Sequence, residues 1–285
     1  MNFALQAANG KVHDMSKNSP PHSEMDKLSS DLAGQISNAP KHFAGWYVPV
    51  FKTDPQDAPY HYGTAFGVEI NDTPYLVTAA HVLAKDPNNV SDGSGVGLVF
   101  CEGQLRELSP YDQIRLTIPA DGSTVDVVAV RPRSLDLRKV FSGFFKVEHV
   151  FRDNLRPNMY LAACGFPETK NRRATWAQTL AQRPYAYFGL ASDDSMRVAL
   201  GFNGAHFCLD FDVRWTFRNG FGGFKAPAPH GISGGPVLVV HDFGDPLRVL
   251  SPRLIGVGIE TRQKMKCFVC VDLRYLLTEL SRLPS

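Results

Sequence analysis

The stretch Gly63-Thr64-Ala65-Phe66-Gly67-Val68-Glu69-Ile70-Asn71-Asp72-Thr73-Pro74-Tyr75-Leu76-Val77-Thr78-Ala79-Ala80-His81 reads as a β-hairpin that delivers a histidine at its end. Two runs rich in β-branched and aromatic residues flank Asn71-Asp72, which makes the turn between them. Outward from this hairpin the chain keeps the same character. Trp46–Phe51 precedes it, and Val96–Phe100, Ile114–Ile118, Val125–Val130 and Met159–Ala163 follow. A second β-rich half runs through Tyr185–Leu190, Met196–Leu200, Ala205–Phe211, Val237–Val240, Leu254–Ile259 and Cys267–Val271. The link between the halves falls within Arg133–Asp153. Leu273, Leu276, Leu277 and Leu280 then recur at helical spacing behind Asp272, a cap residue. Residues 1 to about 40 are polar with little apolar periodicity and read as a flexible arm.

Composition agrees with a folded, turn-rich chain. Of 285 residues, 44% are apolar and 20% charged, enough to bury a core; 24 glycines and 20 prolines suit short strands better than long helices. A formal net charge of +2 gives no strong pull toward nucleic acid or an anionic membrane. No apolar stretch reaches the ~18–20 residues of a membrane helix. The N-terminus lacks the basic start and continuous apolar segment of a secretory signal. The five cysteines, at 101, 164, 208, 267 and 270, are odd in number and scattered, unlike a secreted disulfide framework. Together these features set the expectation of a cytoplasmic protein. A zinc site from His206, Cys208, Cys267 and Cys270 is disfavoured, because a strand over Cys267–Cys270 points the two sulfurs to opposite faces. No metal and no cofactor is expected.

Three segments carry chemistry. In Gly231-Ile232-Ser233-Gly234-Gly235-Pro236, small residues on both sides of a serine let the backbone turn tightly and bring N–H donors close to a substrate carbonyl. The N–H groups of Gly231 and Ser233 are the natural oxyanion donors. Gly231-x-Ser233-x-Gly235 also fits the nucleophile elbow of α/β-hydrolases. That reading fails, because Pro236 and the valines after it predict a strand, and no acid followed by a histidine comes later. The second segment is the hairpin end at His81. Among nine histidines this one alone sits behind a small-residue strand end, a rigid position for a general base. The third is Asp126 in Val125-Asp126-Val127-Val128-Ala129-Val130, a carboxylate in an apolar run that needs a partner, which the second ring nitrogen of His81 would supply. Asp136 is the reserve candidate.

Together these segments resemble the trypsin-like (chymotrypsin-fold) serine peptidases, whose Thr-Ala-Ala-His, Asp-φ-x-φ-φ and Gly-x-Ser-Gly-Gly-Pro patterns, φ being apolar, stand here in family order. The resemblance covers about residues 44–285 and extends to Cys164-Gly165-Phe166-Pro167 and Leu254-Ile255-Gly256-Val257-Gly258-Ile259. It implies an all-β fold of two antiparallel six-stranded β-barrels with a C-terminal helix: an arm over 1–43, a first barrel over 44–140 with His81 and Asp126, and a second over 141–285 with Ser233. It also implies a peptide substrate as the partner, added as an extended strand along Gly258, Ile259, Glu260 and Thr261. The family's primary specificity residue falls at Pro227, which carries no charge and so argues against a simple preference for Arg or Lys; Glu260 and Lys225 are the alternative candidates to supply charge. Two departures look more like bacterial or viral members. The cysteine pair around the histidine is missing, and Ile232 stands where secreted members have an acid that holds a processed N-terminus. Two other readings compete: a catalytically silent barrel that binds peptides, and phosphate binding by Asn219-Gly220-Phe221-Gly222-Gly223-Phe224. The latter lacks the lysine, serine and helix of a phosphate loop and reads as a loop that gates the site.

Overall fold

Asn71 and Asp72 have φ of 49° and 59°, the left-handed pair of a two-residue hairpin turn, and Ile70 pairs with Thr73 across it. This hairpin is the centre of a computed structural model that describes residues 38, 41–54, 59–84, 97–102, 104–117, 124–157, 159–168, 184–202, 204–211, 216–218, 221–224, 227–242 and 251–281. The sequence-based assignments to the N-terminal arm over 1–37 and to Lys225 lie outside the described residues, as do Asn219 and Gly220 of the gating loop.

Two curled antiparallel sheets make up the molecule. The first contains β1 (Tyr47–Thr53), β2 (Pro59–Ile70), β3 (Thr73–Thr78), β4 (Leu98–Cys101), β5 (Gln104–Glu107), β6 (Tyr111–Thr117) and β7 (Thr124–Pro132), in the order β5-β4-β1-β2-β3-β7-β6. The second contains β8 (Met159–Gly165), β9 (Tyr185–Leu190), β10 (His206–Asp210), β13 (Pro236–Asp242), β14 (Arg253–Arg262) and β15 (Cys267–Asp272), in the order β10-β15-β14-β13-β8-β9. Between β10 and β13 in sequence, β11 (Thr216–Arg218) and β12 (Phe221–Phe224) form a separate hairpin, so the stretch expected as a gating loop is partly strand.

The expectation of two six-stranded barrels is corrected here. The first sheet has seven strands, and neither sheet closes into a barrel among the described residues. Closure requires the two edge strands to pair. In the second sheet only an isolated bridge, Ala191 to Leu209, joins them. The seventh strand comes from β5, whose Gln104-Leu105-Arg106-Glu107 is too polar to read as a strand and pairs with β4 at the sheet edge.

A second correction concerns Met196–Leu200, expected as a strand. Asp194–Ala199 is a short helix, because the Asp193 carboxylate accepts from the N–H groups of Ser195 and Met196 and so caps it. The expected C-terminal helix is a short one, Leu273–Ser281, that buries Leu273, Leu276 and Leu280.

Alternation along the strands of the second sheet sorts its side chains into two cores. Met159, Leu161, Ala163, Val237, Val239, Phe268 and Cys270 fill the inside of the curl. Tyr160, Ala162, Cys164, Leu238, Val240, Val269 and Val271 share a cluster with the first sheet and the terminal helix. The linking segment is stitched to both sheets, Phe145 bridging to Val68 and Val150 to Leu254. All five cysteines are free and buried, packed as small apolar groups.

Candidate active site

β3 ends at Thr78, and His81 follows in a single helical turn, Ala80–Leu83, that buries Ala80, Val82 and Leu83. Asp126 comes from β7, the neighbour of β3, whose pairing of Thr78 with Val128 brings the carboxylate level with the histidine. The carboxylate grips the histidine twice. One oxygen, Oδ2, lies 2.6 Å from the ring nitrogen Nδ1, and Oδ1 accepts the backbone N–H of His81 at 2.9 Å. A carboxylate only accepts, so Nδ1 carries the proton and Nε2 presents its lone pair outward. Both side chains keep about a third of their surface open, 28% and 32%. The reserve candidate Asp136 is elsewhere: its side chain accepts from Arg138 N–H and caps the short 3₁₀ turn Leu137–Lys139.

The serine turn comes from the loop before β13 and is clamped between the sheets. On one side Thr64 N–H donates to Ser233 O at 2.8 Å. On the other, Gly234 N–H donates to Gly258 O at 2.7 Å and Gly258 N–H to Gly235 O at 2.9 Å. Gly234 has φ of 88°. A Cβ there would lie 2.9 Å from Ala79 N and closer still to Thr78 Oγ1 and Thr64 O, so only glycine lets the turn press against the segment that leads into His81. Gly63 completes the junction, since a Cβ on it would meet both the Val82 side chain and Ser233 O. The nucleophile candidate and the residue after His81 therefore pack on one glycine. Ser233 Oγ and His81 Nε2 share no hydrogen bond among the described residues.

Around the turn, Ile232, Gly234 and Gly235 donate their N–H groups to Pro229, Gly258 and Ile232. The N–H groups of Gly231 and Ser233 have no acceptor among the described residues. His230 O accepts from Glu168 N–H at 2.7 Å, which turns the adjoining Gly231 N–H the opposite way. Two amide donors are thus left open on either side of a paired one.

No protein-family model and no curated protein matches the chain. The functional reading therefore rests on the site itself.

The other expected site residues fall along the two walls. Pro227 starts the loop into the serine turn, and its carbonyl accepts from Tyr187 OH at 3.1 Å. Pairing of β13 with β14 ends at Val257, and Gly258 is occupied by the turn. The edge of β14 over Ile259–Arg262 is thus open among the described residues, while its other side pairs with β15. Ile259 is buried in the core; Glu260 pairs with Arg262 at 2.7 Å, so its charge is already balanced. Ile232 is 1% exposed and packs inside the second sheet. Its neighbour Gly165 has no room for a Cβ beside Ile232, which shows why Cys164-Gly165-Phe166 underlies the turn. Among the described residues no group of three or more His, Cys, Asp or Glu side chains gathers as a metal site, and Cys270 Sγ faces Phe268 O.

Sequence reasoning missed Thr64, His61, Lys52 and Tyr62. Thr64 is fully buried; its hydroxyl donates to Gly231 O at 2.8 Å and accepts from Phe166 N–H at 3.1 Å, while its carbonyl accepts from Thr78 Oγ1 at 2.6 Å. One signal was readable, a hydroxyl in an apolar run between two small residues. Lys52 Nζ sits 3.7 Å from the Tyr62 ring centre and donates to Ala84 O at 2.7 Å; burial pushes it down to about 8. Burial, then the charges of Tyr60 and Asp126, raises the Tyr62 phenol above its ordinary value.

Proposed function

We propose that the chain is a serine endopeptidase in which Ser233 is the nucleophile, His81 the general base and Asp126 the residue that orients the histidine. The observation that carries this reading is the double grip of Asp126 on His81, through Nδ1 at 2.6 Å and the backbone N–H at 2.9 Å. That grip fixes one tautomer, leaves Nε2 as a base toward the cleft, and stabilises the imidazolium formed when the base takes a proton. Ser233 Oγ attacks the peptide carbonyl as His81 Nε2 takes its proton, and the carbonyl oxygen gathers negative charge between the Gly231 and Ser233 amides. Collapse of the tetrahedral species breaks the C–N bond, and His81 returns the proton to the leaving amine. Water, deprotonated by His81, then attacks the acyl-enzyme and frees Ser233. Substrate lies as an added strand on the open edge of β14, within a chymotrypsin-like arrangement of the two curled sheets.

A second reading is a barrel that binds peptide without cutting it, and the lack of a Ser233–His81 hydrogen bond favours it. Such bonds are often loose until substrate closes the site. One experiment separates the two. Native chain and Ser233→Ala are treated with a fluorophosphonate and with a peptide library. Covalent labelling and cleavage by the native chain alone support the enzyme; a folded native chain that does neither, yet retains peptides, supports the binding module.

A further inference from the structure

His61 is a buried group that the proposed chemistry does not use. It is 6% exposed, on β2 opposite Phe51 of β1. The pairing skips a residue here, Val50 facing Gly63 and Phe51 facing His61, so Tyr62 is the extra residue of a β-bulge. A bulge redirects the side chains on either side of it. His61 turns inward, its ring edge-on to Phe51 with centres 5.7 Å apart. Its Nε2 lies 2.8 Å from Gly63 O, an acceptor, so the proton is on Nε2. Nδ1 is then a bare acceptor, buried and without a partner.

That bare nitrogen faces the serine turn. A Cβ built on Gly231 would lie 2.7 Å from His61 Nδ1 and closer still to Cε1, so the ring rests against the Gly231 α-carbon. Gly231 has φ of 90°, a left-handed conformation that other residues avoid, and its N–H has no acceptor among the described residues. A buried polar nitrogen left unpaired carries a desolvation penalty that an apolar ring of similar size would not incur. The imidazole does one thing such a ring would not: through Nε2 it ties itself to Gly63, the residue under Ser233 O. Thr64 Oγ1 holds the Gly231 carbonyl from the other side.

We infer that His61 is a positioning residue for the oxyanion turn: tethered through Nε2 to Gly63 O, its ring braces the Gly231 α-carbon and so keeps the Gly231 N–H aimed at the substrate oxygen. The inference rests on the serine-peptidase reading for its catalytic consequence, though the bracing itself does not.

The test uses the full chain as His61→Ala, His61→Phe and His61→Gln. His61→Gln keeps a donor for Gly63 O without the ring, and His61→Phe keeps the ring without the donor. Circular dichroism and thermal midpoints verify folding. With a peptide substrate, His61→Ala lowers kcat by roughly 10²–10³-fold, the effect of a lost oxyanion donor, with KM changed less than about threefold. His61→Phe recovers at least a tenfold part of the loss. Crystal structures supply a readout independent of turnover: Gly231 keeps φ near +90° in the native chain and leaves it in His61→Ala. An active native chain whose His61→Ala variant keeps its kcat and its Gly231 conformation overturns the inference. A native chain that never labels at Ser233, but whose Gly231 still shifts in His61→Ala, leaves the bracing intact and sinks the peptidase reading instead.

Discussion

Thr64 donates its backbone N–H to the carbonyl of Ser233 at 2.8 Å, and its side chain donates to the carbonyl of Gly231 at 2.8 Å. One residue of the first sheet thus holds both ends of the Gly231-Ile232-Ser233 turn that emerges from the second. Strand pairing between β2 and β3 places it beside the segment that ends in His81. Thr64 is therefore the joint through which the His81 segment and the Ser233 turn share a frame.

Thr64→Val keeps the shape but removes the hydroxyl, which leaves Gly231 O and Phe166 N–H without partners. Each buried group left unpaired costs about 1–3 kcal/mol. The variant should show a thermal midpoint lowered by several degrees and a kcat reduced at least tenfold. A variant with native stability and native turnover would show that the joint is dispensable.

Asp126→Asn should leave the fold intact and slow acylation by on the order of 10⁴-fold, the scale seen when a triad carboxylate becomes an amide. With its oxygen on the His81 backbone N–H, the amide turns its NH₂ to Nδ1. The histidine must then carry its proton on Nε2, facing the serine, and can no longer act as base. The rate of fluorophosphonate labelling at Ser233 measures this directly. Loss of less than tenfold would assign the orienting role to another residue.

Gly234→Ala and Gly201→Ala make a matched pair. Both glycines have positive φ, 88° and 74°, but Gly201 has nothing within 4 Å of a Cβ, whereas Gly234 faces Thr78 Oγ1, Thr64 O and Ala79 N. Gly201→Ala should cost only the left-handed penalty, about 1–2 kcal/mol. Gly234→Ala adds a collision with backbone and should cost more than ~3 kcal/mol or prevent folding. Chemical denaturation of the two variants decides it; equal losses would mean that the turn does not press on the His81 segment.

Burial pushes His61 down from an ordinary 6.5 to about 4. In the folded chain the ring is neutral over that interval, while in the unfolded chain it binds a proton below 6.5. The unfolded state therefore gains protons first as pH falls. Stability is whole above pH 6.5 and declines down to about pH 4, by roughly 3 kcal/mol from this group. Unfolding free energy followed from pH 7 to 4 should fall more steeply for the native chain than for His61→Phe. Parallel curves would remove His61 as the source.

Much of the fold was legible because its central strands are short runs of β-branched and small apolar residues, buried almost without interruption and bounded by turns. The hairpin from Gly63 to His81, with its Asn71-Asp72 turn, could be read from local rules alone. Met196–Leu200 could not, because its apolar content suits strand and helix alike, and the capping carboxylate of Asp193 settled it. The strand Gln104–Glu107 escaped notice because an edge strand buries little and carries polar residues.

The sequence by itself determined which residues are candidates for the chemistry: a serine among glycines, a histidine at a strand end and an aspartate in an apolar run, each singled out by short-range constraints. Only the tertiary structure decided what aligns them. The roles of Thr64 and His61 consist of contacts with Gly231 and Ser233, about 170 residues away along the chain. Hydrogen bonds and close packing act over a few ångströms of space, and no local pattern of residue types encodes which distant backbone atoms the fold will bring within that reach.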